Sequence, residues 1–441
     1  MCKAISLFAS GGIADLALEA NGVNVLLANE LLEDRASLYR YNFPNSKVLC
    51  GDIWSLKNEI ISEASKLLAQ EELDLMLATP PCQGMSKNGM GKLLNGVRSD
   101  KRPKIDPRNR LIIPTLEIAV ALKPRIIIFE NVPEMLNTII DDEQGNLVNI
   151  IDYIRNTLGE EYMGNAEVVE FADFGVPQRR KRLITVFTRD EALKEMLQIH
   201  KSFIPERTHT QGGNLLRKRW VSVRDVIGSL PPLDGKSKET STSDIPYHHV
   251  AILDSKKYEW ISNTPPEKGA FDNQCINPSC LYDKNATHGS ERNGDGINKA
   301  KNSTPLYCLK CKSLLPRPYF KEKNGEIRLM AGYTSAYKRM AWDLPSPTLT
   351  TNLAYPSSDH KIHPEQNRVL SLFEALNLHT LNHFNYEWKH ANGELARDTL
   401  ITEIIGESIP PKGIEPIIKH LLSKLHLPIK SPLLYRLKNA I

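Results

Sequence analysis

The chain has no apolar run approaching the roughly 18 residues that a membrane-spanning helix requires. It has no G-x-G-x-x-G stretch, which argues against a nicotinamide cofactor, and no phosphate-binding loop, which argues against a pyrophosphate ligand. Neither sign of charge dominates: the net charge is +4 over 441 residues, too small by itself to establish a nucleic-acid partner. Internal repeats and long low-complexity tracts are missing. Cysteine is scarce and odd in number, with seven in all. The start, Met1-Cys2-Lys3-Ala4-Ile5, leads directly into a strand pattern and not into a signal peptide. A cytoplasmic protein without a disulfide framework and without membrane association is therefore expected.

What is present fits a soluble α/β protein. A hydrophobic content of 41% is ordinary, and the length suggests two domains. Apolar runs at residues 4–8, 23–28, 47–50, 73–78, 125–129, 165–171 and 183–187 read as strands. Between them, residues 13–20, 32–41, 55–70, 109–122 and 147–158 read as helices. This alternation predicts a mainly parallel, doubly wound sheet. From about residue 205 Pro, Gly, Ser, Thr and Asn become frequent, and long periodic helices vanish until residues 368–380 and 413–425. A second, loop-rich domain is expected there.

The polar residues that follow the strands carry the functional signal. Glu30, Asp52, Cys82 and Glu130 all lie just beyond strand ends, and parallel strands share one edge for their carboxyl ends. Cys82 sits in Thr79-Pro80-Pro81-Cys82-Gln83-Gly84-Met85-Ser86. The two prolines stop the strand in a stiff turn, and Gly84 permits a sharp bend or a close approach. Leu7-Phe8-Ala9-Ser10-Gly11-Gly12 forms a glycine turn between the first strand and helix. Glu30 can accept both hydroxyls of a ribose, and Asp52 can accept from an adenine amino group. With no phosphate loop, S-adenosylmethionine fits these needs.

Basic residues cluster as Lys101, Arg102, Lys104, Arg108 and Arg110, as Arg179 to Arg182, and as Arg217 to Arg219. Three such runs favour a phosphate backbone as partner. Four of the cysteines occur as Cys275-x4-Cys280 and Cys308-x2-Cys311, separated by 27 residues. This is the spacing of two zinc knuckles. Four thiolates make a closed structural Zn2+ site that staples a region too polar to form its own core, with no position open for catalysis.

These stretches together resemble the cytosine-C5 DNA methyltransferases of prokaryotic restriction-modification type. Pro80-Pro81-Cys82-Gln83-Gly84-Met85-Ser86 resembles the nucleophile loop. Ser6-Leu7-Phe8-Ala9-Ser10-Gly11-Gly12 is similar to the first motif, with Ser10 and Ile13 where glycine is usual. Asp106 to Leu111 resembles a helix start of the family, Glu130-Asn131-Val132 its Glu-Asn-Val signature, and Gln178-Arg179-Arg180-Lys181-Arg182 its Gln-Arg-Arg-x-Arg motif. His363-Pro364 through Arg368 to Ala375 resembles the ninth motif. Gly406-Glu407-Ser408-Ile409-Pro410-Pro411 resembles the tenth, with Glu407 where asparagine is usual.

The resemblance implies a Rossmann-like methyltransferase sheet with a second, loop-rich target-recognition domain carrying a zinc-knuckle insertion. It implies a catalytic domain over 1–205 and 386–441, a recognition domain over 206–385, and a zinc-binding part near 270–316. Catalysis falls to Cys82, Glu130, Arg182 and Arg180. Cofactor binding falls to Phe8, Ser10, Gly11, Gly12, Glu30, Asp52, Ile53, Pro80 and Ser408. Zinc falls to Cys275, Cys280, Cys308 and Cys311. DNA binding falls to Gln83, Ser86, Arg179, Tyr337, Lys338 and Arg339. The expected partner is double-stranded DNA, bound by a monomer, with a cognate restriction endonuclease as a functional partner.

The chemistry accounts for these residue types. Adding a thiolate to carbon 6 of cytosine makes carbon 5 able to attack a sulfonium methyl, and cysteine suits such a covalent step. Glu130, hydrogen-bonded or protonated toward N3, would stabilise the charged ring, and burial would help by raising its pKa. Arg182 can donate to O2, and Arg180 can position the loop or touch phosphate. Methyltransferases that act on exocyclic nitrogen carry Asp-Pro-Pro-Tyr or Asn-Pro-Pro-Tyr, where this chain has Thr79-Pro80-Pro81-Cys82. A duplex cytosine must be flipped out, and residues 84–105 are a candidate closing loop. Two other readings stay open: an RNA cytosine-C5 methyltransferase, and a zinc-dependent DNA-binding protein with an inactive methyltransferase domain.

Overall fold

Seven strands form one sheet in the order β3-β2-β1-β4-β5-β9-β8. They are β1 (Lys3–Leu7), β2 (Asn24–Glu30), β3 (Lys47–Cys50), β4 (Leu75–Ala78), β5 (Ile126–Asn131), β8 (Met163–Glu170) and β9 (Lys181–Thr188). A small hairpin, β6 (Ile139–Asp141) and β7 (Leu147–Asn149), lies outside it. This computed structural model describes residues 2–81, 85, 106–287, 290–292, 298–300, 303–330, 335–358 and 360–425. Cys82, Gln83, Ser86, most of the basic run 101–110 and the candidate closing loop lie outside the described residues.

The first five strands pair in parallel. β9 runs antiparallel to both β5 and β8. The expected mixed, mostly parallel sheet is thus present, with one reversed strand that periodicity does not reveal.

Helices cover both faces, because alternate residues of each strand are apolar on opposite sides. Ile5, Met76, Ile127 and Phe129 pack against α3 (Ile53–Leu68), α4 (Ile112–Leu122) and α5 (Ile150–Leu158). Ala4, Leu75, Leu77, Ile126 and Ile128 pack against α1 (Asp15–Ala20), α6 (Glu191–His200) and α11 (Pro411–Lys424). The C-terminal helix therefore completes the face begun by the first one. A third cluster joins Ile13, Leu16, Leu38 and Tyr39 to Val223, Leu349, Leu370, Ala375, Leu378, Ile401 and Ile404. Residues of both parts of the chain contribute to this cluster.

Among the described residues, 206–385 hold only short elements, among them α7 (Val223–Ile227), α8 (Ser255–Ser262) and α9 (Leu372–Leu378). Loops leave backbone carbonyls without ladder partners, and such groups need donors when buried. Three buried arginines supply them. Arg339 donates to the carbonyls of Ile261, Thr264, His363 and Gln366 and to Oδ1 of Asn367. Arg317 donates to the carbonyls of Asn273, Ala286 and Pro305. Arg368 forks onto Glu374 at 2.7 and 2.8 Å, with both side chains at most 1% exposed. A guanidinium presents five N–H groups in a plane, which suits it to gathering several chain segments.

Among the described residues, no helix is long and apolar enough to cross a membrane.

Candidate active site

The site lies at the carboxyl edge of the sheet. Here β1, β2, β3, β4 and β5 end, and the reversed β9 begins. The reversal has a direct consequence. Glu130 pairs with Ile184 and Asn131 with Leu183, so Arg182 falls diagonally across from Glu130 on the same face. Arg182 Nε stands 2.8 Å from Glu130 Oε1 as an ion pair, and each side chain is about a tenth exposed. Burial raises the Glu130 pKa above the ordinary carboxylate value, against the opposing pull of Arg182 and then Arg180. Glu130 Oε1 nevertheless has no hydrogen-bond partner of acceptable geometry.

A cavity of about 350 Å³ opens along this edge. Its wall includes Phe8, Ser10, Glu30, Asp52, Ile53, Pro80, Glu130, Arg182 and Ser408. Seven of the nine expected cofactor residues are thereby brought together with two of the expected catalytic ones. Glu30 is buried, and its carboxylate accepts from Ser10 N–H at 2.8 Å and Leu32 N–H at 2.9 Å. Two bonded oxygens with lone pairs to spare form a fixed acceptor. Asp52 is exposed and caps α3, accepting from Trp54 N–H at 3.2 Å, while also facing the cavity. Ser10 adopts φ +50°, a left-handed conformation that serine takes at some cost, and its Oγ is buried without a partner. An adenosine brings hydroxyl and amino donors to match Glu30 and Asp52, and acceptors for Ser10. The donor set, the apolar walls of Phe8, Ile53 and Pro80, and the volume fit such a ligand.

Gly11 and Gly12 stand behind this wall and do not line it. Gly12 has φ +84°, and a Cβ there would meet the Phe43 ring at 2.3 Å. The Gly11 carbonyl accepts from the Tyr386 hydroxyl at 2.7 Å. Both positions have turn and packing reasons to be glycine.

The approach to Cys82 is held from two sides. Thr79 Oγ1 donates to the Phe8 carbonyl at 3.1 Å, and Asn131 Nδ2 donates to the Pro80 carbonyl at 3.0 Å. The glycine turn, the Pro-Pro stretch and the Glu-Asn-Val stretch are therefore one interlocked unit.

Three further expected site residues make contacts within the fold. Arg180 is fully buried, and its guanidinium donates to the carbonyls of Leu349 at 2.9 Å and Gly406 at 3.0 Å. It holds the segments around the cavity and does not line it. Tyr337 is 2% exposed and packs edge-on against Trp260 at 5.6 Å, so no ring face is offered to DNA. Arg339 spends its donors on the loop carbonyls described above. Arg179 is exposed, lies over the Trp220 ring at 5.4 Å and sits 3.8 Å from Glu170. Lys338 is half-buried.

The four distant cysteines converge. Their sulfur atoms lie within 4.8 Å of one another, with Cys275 to Cys311 at 3.6 Å and Cys280 to Cys308 at 3.9 Å. Four thiolates about 2.3 Å from a tetrahedral zinc stand about 3.8 Å apart, so the donor set fits that ion. Arg317 binds carbonyls on either side of the first knuckle and one just before the second.

Two residues missed at the level of sequence also stand at the cavity. Arg35 reaches from α2 (Glu33–Asn42) to Glu407 at 2.6 Å. His379 contacts Ser408 from behind. Neither stands in a motif that announces a role; only the fold places them here.

Comparison with known proteins agrees with this geometry. Type II methyltransferase M1.HgaI of Avibacterium volantium is 29% identical over 434 residues, covering 95% of this chain and 98% of its own. Type II methyltransferase M.AquIA of Picosynechococcus sp. is 30% identical over 241 residues, covering 52% of this chain and 89% of its own. The S. pombe Dnmt2 methyltransferase crystal structure aligns with a TM-score of 0.51 at 13% identity, over 97% of this chain and 100% of that one, which speaks for the fold alone. The pattern of the C-5 cytosine-specific DNA methylase family matches residues 2–423. With nearly the whole length matched, the chain belongs to the C-5 cytosine-specific DNA methylase family.

Proposed function

We propose that the protein transfers a methyl group from S-adenosylmethionine to carbon 5 of a cytosine in a specific double-stranded DNA sequence. The observation that carries this reading is the buried Glu130–Arg182 pair at the mouth of the cavity, beside the Pro-Pro stretch that leads to Cys82. When bound, S-adenosylmethionine supplies an electrophilic methyl group. Glu30 and Asp52 hold its nucleoside, and Ser10, Phe8, Ile53, Pro80 and Ser408 complete the wall.

Cys82 adds to carbon 6 of a flipped-out base, and the electron pair of the broken ring double bond moves toward carbon 5. Burial favours the protonated form of Glu130, against the pull of Arg182, and in that form it donates toward N3 as charge develops there. Arg182 donates to O2. Carbon 5 would then take the sulfonium methyl as its carbon–sulfur bond breaks, leaving S-adenosylhomocysteine; water would accept the carbon-5 proton as the carbon-6–sulfur bond breaks and the Cys82 thiolate is expelled. Arg180 acts as a positioning residue.

Residues 1–205 and 386–441 form the catalytic part, and 206–385 read the target. A structural Zn2+ on Cys275, Cys280, Cys308 and Cys311 shapes the reading loops. Arg179, Lys338, Gln83 and Ser86 are the candidate DNA contacts. Restriction-modification is the expected setting, with a nuclease as functional partner and a monomeric enzyme.

A duplex carrying 5-fluorocytosine tests the reading, because fluorine cannot leave carbon 5 as a cation. Incubation with S-adenosylmethionine should yield a covalent adduct that Cys82→Ser abolishes. An adduct on RNA alone would move the substrate to RNA. DNA binding without any adduct would support the inactive, zinc-dependent binding protein.

A further inference from the structure

Ser408 follows α10 (Asp398–Glu407) and lines the cavity. Behind it, His379 Nε2 lies 3.0 Å from Ser408 Oγ. The other ring nitrogen, Nδ1, lies 3.4 Å from Gln178 Nε2. Gln178 Oε1 in turn accepts from the Leu349 backbone N–H at 3.2 Å. Gln178 and His379 are both fully buried.

This chain has one consistent direction. A backbone N–H can only donate, so the Leu349 contact fixes which end of the Gln178 amide is oxygen. Gln178 therefore presents its N–H to His379, whose Nδ1 must accept. The neutral ring then carries its proton on Nε2 and donates to Ser408 Oγ. The opposite tautomer would set donor against donor at Gln178. With its oxygen already accepting, Ser408 has its own O–H left for the cavity.

The ring is held neutral and in place. Burial, then Arg180 and Arg182, push the His379 pKa well below the usual range, outweighing the Ile409 backbone that favours protonation. His379 caps α9, which starts in a capping box between Ser371 and Glu374 and is gripped by the buried Arg368 fork.

The polarity of the cavity suggests what the hydroxyl meets. Glu30 and Asp52 are acceptors for a nucleoside's donors. The arginines in the wall are already ion-paired: Arg35 with Glu407, Arg108 with Asp106 and Arg182 with Glu130. We infer that His379, oriented by Gln178, is a positioning residue that keeps the Ser408 proton aimed into the cavity for the carboxylate of the cofactor's amino-acid end. The inference rests on the cavity being the S-adenosylmethionine site.

Titration calorimetry of the full chain with two probes tests it. S-adenosylhomocysteine has the carboxylate, whereas 5′-methylthioadenosine keeps the nucleoside and thioether without it. His379→Leu should weaken S-adenosylhomocysteine about tenfold, the loss of one hydrogen bond to a charged group, and leave methylthioadenosine unchanged. His379→Gln, whose amide can donate to Ser408, should stay within about threefold of wild type. Ser408→Ala should show the same selective loss, and the double variant His379→Leu with Ser408→Ala should lose no more than either alone. Equal weakening of both probes, no weakening of either, or a Ser408→Ala chain that binds S-adenosylhomocysteine normally would overturn the positioning role. A wild-type chain that binds neither probe would instead overturn the cofactor reading beneath it.

Discussion

Arg182 and Glu130 meet because one strand of the sheet is reversed. Arg182 opens β9, Glu130 closes β5, and the antiparallel register sets Nε and Oε1 2.8 Å apart. In an all-parallel sheet the start of that strand would lie at the opposite edge. The pair keeps a guanidinium against a carboxyl that burial drives toward its neutral form.

Glu130→Gln should lower the single-turnover methylation rate by about 10²–10³-fold while leaving S-adenosylhomocysteine affinity nearly unchanged. Removing one aimed proton donor commonly has that cost. Rapid-quench kinetics with labelled cofactor measure it. A loss below tenfold would remove Glu130 from the chemistry.

Arg180→Ala should destabilise the fold by about 3 kcal/mol or more, since two buried carbonyls lose their donor. Because one of them belongs to Gly406, cofactor affinity should fall with it. Urea unfolding and calorimetry on the same variant provide both numbers.

Arg179→Ala should weaken DNA binding and reduce the slope of log K against log salt by about 1, with little change in melting temperature. Arg339→Ala should do the reverse in kind, destabilising the recognition region before any effect on DNA is measured. Binding at several salt concentrations, set beside thermal melts, separates the two.

Asp15 gives a pH test. It is fully buried, accepts from Ser6 and Tyr39 hydroxyls at 2.8 and 2.7 Å, and is pushed up to about 7 by burial. Its folded pKa is raised, so its stabilising contribution is complete below the ordinary carboxylate value and is lost as pH rises to about 7. Between pH 4 and 8 the wild type should lose about 2–4 kcal/mol relative to Asp15→Asn. Thermal melts of both chains across that range should diverge; parallel curves would place the carboxyl in a wetter setting.

The purified chain should contain one zinc, and Cys308→Ser should lose it. Cys308 is fully buried, so the loss should expose the surrounding loops to proteolysis. Metal analysis and limited digestion decide the matter.

The acidic strand ends and the paired cysteines were legible in the sequence because each depends on spacing alone. Glu30, Asp52 and Glu130 were placed at one edge by strand alternation, and the four sulfurs by knuckle spacing. Three kinds of feature were not legible. The helices Glu191–His200 and Asp398–Glu407 escaped the reading, the second inside a stretch judged by its neighbours. The direction of β9 is a tertiary choice that periodicity cannot encode. Basic residues look alike in a sequence whether they face phosphate or carbonyls, and nothing in their spacing shows that Arg180 and Arg339 bond interior carbonyls. His379 stayed hidden because its role depends on Gln178, some two hundred positions earlier.

The reversed strand also sets a moment in the life of the chain. During synthesis the segment bearing Cys82 leaves the ribosome about a hundred residues ahead of Arg182. Until β9 slots between its neighbours, Glu130 has no cation at its side, and a slip of one residue would turn Arg182 to the other face. A nascent or misthreaded polypeptide therefore lacks the Glu130–Arg182 contact that the finished sheet makes.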